Sequence, residues 1–273
     1  MLPNDKYLAD AAVEIAKSVG ELLRHYFQHV ELTPGFKADD SVITEADLAA
    51  NQFLIEHLKQ LEPETFILSE ELNTVYNPDQ GSGKSAWIID PLDGSTNFSL
   101  GVVYWGCLLT RLINDEPVLS ILYFPMLNEL YLAQSGSGAS LNGVPLTINP
   151  PDTKDKRSFF CCCSRTFRNY EISVPYKTRI FGSTGYSLSS VARGIAMAAF
   201  DATPKIWDIA GGWLLVNEAG GVVKIIDGLS PFPLEQGCNY AHRNLPMLAA
   251  PSPDVWEKTR RRIQPHSKSA SGM

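Results

Sequence analysis

The chain has 273 residues, 44% of them hydrophobic and 19% charged, and a formal net charge of −7. That length fits one large domain or two small ones around a sizeable core, and the composition excludes a disordered chain. The acidic balance argues against a nucleic-acid polymer as partner, because such binding rests on Lys and Arg against phosphates; a small phosphorylated ligand held through metal cations stays open.

Tyr7–Tyr26 reads as a helix, with Leu8, Ala12, Ile15, Ala16, Val19, Leu22 and Leu23 on one stripe of helical period. Pro34-Gly35 breaks the chain, and a second helix runs from Glu45 to Leu61 with Thr44 as its N-cap. The period then changes. Thr65–Leu68 ends in Ser69-Glu70-Glu71 and Ala86–Ile89 ends in Asp90, which predicts two buried strands that deliver carboxylates. A polar loop from Asn73 to Ser85 separates them. Strands follow at Trp105–Ile113, Pro117–Phe124 and Leu130–Ala133, with turns at Ser135–Gly138 and Asn142-Gly143. In the second half the pattern predicts strands at Ser158–Cys163 and Arg179–Phe181, then a helix at Ser187–Ala196. Another helix at Ile209–Ala219 is closed by Gly220-Gly221 and followed by a strand at Val222–Ile226.

Helices and strands mix without a regular βαβ rhythm, which favours an α+β layered sandwich over a doubly wound parallel sheet. Asn149–Asp152 is the best boundary. It divides an N-terminal half, residues 1–150, from a C-terminal half, residues 151–273, within one compact catalytic unit. No apolar run reaches the ~20 residues of a membrane-spanning helix, and the polar start MLPNDKYLAD is unlike a secretory signal. The five cysteines are Cys107, Cys161, Cys162, Cys163 and Cys238. Their odd number and the consecutive run fit neither a secreted disulfide framework nor the spacing of a zinc site. Reduced thiols and a cytoplasmic location are expected.

The acidic residues carry the chemistry. Asp90 and Asp93 bracket a Pro-Leu turn, and Gly94 permits the chain to reverse tightly. Proline removes a donor, so strand pairing should stop at Pro91. Two carboxylates around such a turn, with the Leu92 carbonyl, form a set of hard oxygens suited to Mg²⁺. Ser95, Thr96 and the backbone N–H groups beyond Gly94 could meet a phosphate if a helix begins there. Taken one at a time these residues have plainer readings: a surface turn for Asp90–Gly94, a solvated pair for Glu70 and Glu71, a helix cap for Asp208, a first-turn acid for Asp47.

Four segments together resemble the inositol monophosphatase superfamily, whose relatives include fructose-1,6-bisphosphatases, 3′-phosphoadenosine 5′-phosphate phosphatases and histidinol-phosphate phosphatases. They are Lys37 with Asp40–Asp47, Ser69-Glu70-Glu71, Trp87–Phe98, and Trp207–Gly212 with Glu218–Gly221. The resemblance implies a five-layer αβαβα sandwich, a homodimer, two or three Mg²⁺ per site and sensitivity to lithium. It assigns Glu70, Asp90, the Leu92 carbonyl and Asp93 to a first metal, and Asp90, Asp93 and Asp208 to a second. Asp47 would stand near a third metal or its water. Ser95 would act with Glu70 or Asp47 on the attacking water, and the N–H groups of Gly94 and Ser95 would bind phosphate. No cysteine nucleophile is required.

The pattern departs from the inositol enzymes in places. Ser95 stands where they carry Thr, which keeps the hydroxyl. Seven residues before Asp208 they carry a Glu that contacts the sugar ring; here Asp201 stands there, with Lys205 nearby to read a substrate carboxylate or second phosphate. Gly182–Gly185 reads as a strand-to-helix turn, with contact to substrate hydroxyls or a second phosphate as its alternative, and Arg165 and Arg168 read as solvated loop charges, with a substrate-facing loop as theirs. The expected function is a metal-dependent phosphomonoesterase for a small phosphorylated substrate, an inositol or related polyol phosphate. Histidinol phosphate, fructose bisphosphate and phosphoadenosine phosphate are alternative substrates. A regulatory or scaffold protein on a retained phosphatase fold is the non-enzymatic alternative; its mark would be a lost metal ligand.

Overall fold

A computed structural model describes residues 3–30, 33–37, 42–72, 74–77, 85–149, 152, 157–226 and 228–266. The chain opens with helix α1 (Pro3–His29), which buries Ala9, Ala12, Ala16, Val19 and Leu23 along one face. Two short antiparallel strands, β1 (Gly35–Phe36) and β2 (Val42–Ile43), precede α2 (Glu45–Leu61). The predicted bounds of α2 hold. Thr44 takes the N-cap position, where Asp47 Oδ2 accepts its backbone N–H at 2.7 Å and its hydroxyl at 2.6 Å.

The first sheet runs in chain order: β3 (Phe66–Ser69), β4 (Ser85–Asp93), β5 (Gly106–Ile113), β6 (Glu116–Phe124), β7 (Glu129–Gln134), β8 (Gly138–Leu141) and β9 (Val144–Leu146). Within this sheet β3 and β4 are parallel and the other neighbours antiparallel, most of them joined by short connections; β4 and β5 are joined through residues 94–105. A short helix, α3 (Ser95–Ser99), follows β4. Pairing does not stop at Pro91 as expected. Asp90 faces Leu108 and Asp93 faces Gly106, so three steps on β4 match two on β5. A bulge absorbs the residue that cannot donate, and the ladder resumes at Asp93.

The second sheet has the order β12-β10-β13-β15-β14, built from β10 (Phe159–Cys162), β12 (Lys177–Arg179), β13 (Ala196–Asp201), β14 (Val222–Ile225) and β15 (Met247–Ala250). Between β10 and β12 lie α4 (Thr166–Asn169) and β11 (Tyr170–Ile172); β11 pairs with the C-terminal β16 (Ile263–Pro265). Helices α5 (Thr184–Ala192), α6 (Ile206–Glu218) and α7 (Pro253–Arg260) complete the chain. Two expectations need correction. The helix predicted at Ser187–Ala196 starts at Thr184 and ends at Ala192, and Gly194, at φ 69°, turns the chain so that Ala196 opens β13. The strand expected at Arg179–Phe181 is β12, which ends at Arg179. Gly220, at φ 93°, ends α6 as predicted, with Gly221 N–H donating to the Val216 carbonyl at 2.8 Å.

The buried side chains fall into three clusters that separate five layers. One joins α1 and α2 to the outer face of the first sheet, through Leu54, Trp87, Ile89, Leu109 and Ile121. The largest lies between the two sheets and encloses α5 and α6, with Leu188, Ile209, Leu215, Leu108, Leu122 and Ala199. The third packs α7 against the second sheet through Phe160, Phe200, Leu248 and Trp256. The order is therefore αβαβα, each layer burying a face that its own period left apolar. Trp87 is fully buried, and its indole N–H is satisfied by Glu62 Oε2 at 2.8 Å. The expected polar loop from Asn73 to Ser85, the Asn149–Asp152 boundary, Asp40-Ser41 and the tail past Gln264 lie wholly or partly outside the described residues.

Candidate active site

The site forms where β3 ends beside the bulge of β4. The parallel pairing of β3 with β4 sets Ser69 beside Ile89, so that Glu70, just past the end of β3, and Asp90, at the bulge of β4, come out side by side. Asp208 comes from the first turn of α6, where its Oδ2 accepts the N–H of Lys205 at 2.6 Å. One carboxylate oxygen from each of Glu70, Asp90 and Asp208 lies within 4.8 Å of the others. Burial and the charge of Glu70 push Asp90 and Asp208 well above the ordinary carboxylate range, and Asp93 adds to both. Repulsion of this kind is what a bound cation relieves.

The turn after Asp90 is held by its own atoms. Asp90 Oδ1 accepts the N–H of Leu92 at 3.1 Å. The Ser95 hydroxyl lies 2.6 Å from Asp47 Oδ1 and 3.0 Å from the Leu92 carbonyl, both acceptors. Gly94 caps α3 at φ 98°; a Cβ there would sit 2.9 Å from the Tyr104 carbonyl oxygen. Left-handed backbone and close approach together require glycine. The Asn97 amide donates to the carbonyls of Tyr104 and Phe181, each at 2.6 Å, and so ties α3 to the chain that enters α5.

Asp93 is buried and faces α5. Its carboxylate accepts the Ser183 hydroxyl at 2.5 Å, the Gly185 N–H at 2.8 Å and the Thr184 N–H at 3.1 Å. Burial pushes Asp93 up to about 7 against the opposing pull of those bonds. On the other side, Lys37 Nζ lies 2.7 Å from both Glu70 Oε1 and Glu71 Oε1. Burial, with the negative charge of Glu70, pushes Glu71 up to about 7, and Lys37 opposes the shift.

A cleft of about 260 Å³ adjoins Asp93, Thr96 and Asp208 and extends to Arg165, Asp201 and Thr203. Asp201, at the end of β13, accepts the Thr184 hydroxyl at 2.6 Å and the Thr203 N–H at 3.1 Å. Of the residues singled out in the sequence, Asp93, Thr96, Asp201 and Asp208 line this cleft; Glu70 and Asp90 converge on Asp208, and the Ser95 hydroxyl joins Asp47 to the Leu92 carbonyl in the turn beside Asp93. Lys205 is placed differently: its ammonium lies 2.9 Å from Asn244 Oδ1, and it is not among the residues that line the cleft. Arg165, for which the sequence left a solvated charge and a substrate-facing loop open, does line it, as do Cys162 and Cys163. Both thiols are free, and burial pushes Cys162 up to about 12, which leaves it a neutral wall. Sequence reasoning assigned no role to Lys37 and did not foresee the clamp of Ser183, Thr184 and Gly185 on Asp93. The Gly-Ser-Thr-Gly run was the available signal.

Comparison with known proteins gives the family and the fold. Inositol monophosphatase 3 of Solanum lycopersicum is 31% identical over 229 residues, covering 78% of this chain and 84% of its own. The 3'(2'),5'-bisphosphate nucleotidase CysQ of Aggregatibacter actinomycetemcomitans is 30% identical over 227 residues, with 80% and 84% covered. The crystal structure of Staphylococcal inositol monophosphatase-1, an inhibitory complex soaked with LiCl, superposes with a TM-score of 0.77 at 20% identity, covering 96% of this chain and 98% of that one. The model of the inositol monophosphatase family matches residues 4–257, and the chain belongs to that family.

Proposed function

We propose that the chain is a Mg²⁺-dependent phosphomonoesterase acting on a small phosphorylated polyol, with inositol monophosphate as its first candidate substrate. The observation that carries this reading is the convergence of Glu70, Asp90 and Asp208, with carboxylate oxygens within 4.8 Å of one another. The donor set fits a hard divalent cation: three convergent carboxylates, of which Asp90 and Asp208 are pushed well above the ordinary range by burial and by the charge of Glu70, with the Leu92 carbonyl and Asp93 in the same turn. Two or three Mg²⁺ would be held by Glu70, Asp90, Leu92, Asp93 and Asp208, with Asp47 beside them. When bound, the cations lower the pKa of water and balance the charge that develops on the phosphoryl and leaving oxygens.

The chain's own groups then divide the remaining work. The Ser95 hydroxyl is 2.6 Å from Asp47, so its proton is drawn to that carboxylate and its lone pairs are left to orient an attacking water. Glu70 is the second acceptor for that water. The N–H groups of Gly94 and Ser95 begin α3 and would hold the phosphate in line, donors already aimed before charge develops. Thr96, on the cleft wall, borders the same group. Asp201 would accept hydroxyls of the organic portion. Lys205, with its ammonium on Asn244, is left as a weaker contributor at the rim.

A second reading of the substrate, a nucleoside bisphosphate, draws support from the CysQ relative, which matches at nearly the same identity as the inositol monophosphatase. The test is phosphate release from inositol monophosphate, histidinol phosphate, fructose 1,6-bisphosphate and 3′-phosphoadenosine 5′-phosphate, with and without Mg²⁺. Turnover of one of them that needs Mg²⁺ and falls in lithium supports the reading; release from none of the four contradicts it. A homodimer in the cytoplasm goes with this reading, and sedimentation of the purified chain checks the assembly. Among the described residues, no helix is long and apolar enough to cross a membrane.

A further inference from the structure

Thr184 touches both ends of the cleft. Its backbone N–H donates to Asp93 Oδ1 at 3.1 Å, on the side of the clustered carboxylates, and its hydroxyl lies 2.6 Å from Asp201 Oδ2, on the far wall. Asp201 Oδ1 takes a separate bond from the Thr203 N–H at 3.1 Å. One bond to each oxygen, from two different segments, removes the freedom of a short carboxylate to turn. Thr184 is itself well fixed. It opens α5, the preceding Ser183 caps that helix by accepting the Tyr186 N–H at 3.0 Å, and a β-branched side chain has few rotamers.

A carboxylate has about four acceptor sites, of which Thr184 and Thr203 use two and the neighbouring Cys163 thiol addresses a third. Asp201 lines the cleft, so its remaining capacity is met by whatever enters. A group that donates a hydrogen bond satisfies it; a second phosphate brings like charge to it. We infer that Thr184 is a specificity-determining positioning residue. By holding Asp201 in one orientation it selects phosphomonoesters whose organic portion presents a hydroxyl or ammonium donor at this wall, over those that carry a second anionic group there. This rests on the phosphomonoesterase reading. Arg165 lines the same cleft and would favour the opposite class, so the experiment must weigh the two.

The experiment measures kcat and KM of the full chain with Mg²⁺ on three substrates: inositol monophosphate, which bears donors; phenyl phosphate, which has none; and a nucleoside 3′,5′-bisphosphate. Wild type, Thr184→Val, Thr184→Ser and Asp201→Asn are compared. In Thr184→Val, the kcat/KM ratio of inositol monophosphate to phenyl phosphate should fall about tenfold, through KM, as for one hydrogen bond to a charged group. Thr184→Ser should keep the ratio within about twofold, and Asp201→Asn should lower it as Thr184→Val does. If Thr184→Val does not fold, the contrast between Thr184→Ser and Asp201→Asn carries the test. An equal fall on both monoesters, loss of the ratio in Thr184→Ser, or a wild-type preference for the bisphosphate overturns the inference. Absence of phosphate release from all three substrates by wild type instead sinks the phosphatase reading on which it stands.

Discussion

Ser95 and Asp47 lie 48 positions apart in the chain, yet their side chains meet at 2.6 Å. The hydroxyl was legible in the sequence because it follows a glycine in a long, specific motif. Its partner was named, beside Glu70, only through the resemblance; read locally, Asp47 is an acid in the first turn of a helix, since nothing local predicts that α2 docks beside the β4 turn. If the pair orients the attacking water, Ser95→Ala and Asp47→Asn should each lower kcat by about 10²–10³, while Ser95→Thr keeps most of the rate. Steady-state rates at saturating Mg²⁺ read this directly, and a Ser95→Ala enzyme of wild-type rate would remove the hydroxyl from the mechanism. Lys205 and Arg165 show the opposite limit. Which of two nearby cations enters a cleft depends on backbone direction and on partners such as Asn244, which sequence spacing does not encode.

Elements that the sequence pattern located best are those with a clean period and a clear stop: α2 is found at its predicted bounds, and α6 ends at Gly220 as expected. Those it missed include β8 and β9, helix α7, and the short strands β13 and β15 of the second sheet. The last two are wholly buried and rich in alanine, so they carry no alternation. The bulge at Pro91 was also beyond local reading, because a proline's missing donor can end a strand or only kink it. Two predictions belong here. Gly94→Ala forces an L side chain into left-handed backbone against the Tyr104 carbonyl, and should cost about 1–2 kcal/mol or more in chemical denaturation and lower turnover as well. Glu62 closes α2 and accepts from Trp87 on β4 and from Arg111 on β5 at 2.6 and 2.9 Å. Burial alone would raise Glu62, but the Arg111 guanidinium outweighs it and holds the carboxyl below its usual 4.5. A carboxylate held low in the folded state contributes stability above that usual value and loses it as the pH falls through the folded one. Glu62→Gln should therefore be about 1–2 kcal/mol less stable than wild type at neutral pH, with the gap closing below about pH 4. A gap that widens in acid would contradict this account of the pair.

At the scale of the molecule, the groups of the proposed site are drawn from several layers. Asp47 comes from the outer helices, Glu70, Asp90 and Asp93 from the first sheet, Asp208 from the inner helices and Asp201 from the second sheet. Close contact between layers is needed to bring them together. Gly212 of α6 packs so tightly on α5 that a Cβ would lie 2.2 Å from Leu188 Cδ1. Gly212→Val should force the inner helices apart, destabilise the fold by about 1–3 kcal/mol in a denaturant titration, and weaken Mg²⁺-dependent turnover through Asp208. The layer order followed from the family motifs; the packing that carries it, long-range and glycine-dependent, did not. The account as a whole turns on whether Glu70, Asp90 and Asp208 hold a catalytic cation. Its most direct test is phosphate release from inositol monophosphate as Mg²⁺ is titrated into chelator-treated wild type and Asp90→Asn, with folding followed by circular dichroism. The account predicts no release without metal, saturable recovery in wild type, and a loss of about 10³-fold or more in a folded Asp90→Asn. Release that ignores Mg²⁺, or a variant that recovers like wild type, would contradict it.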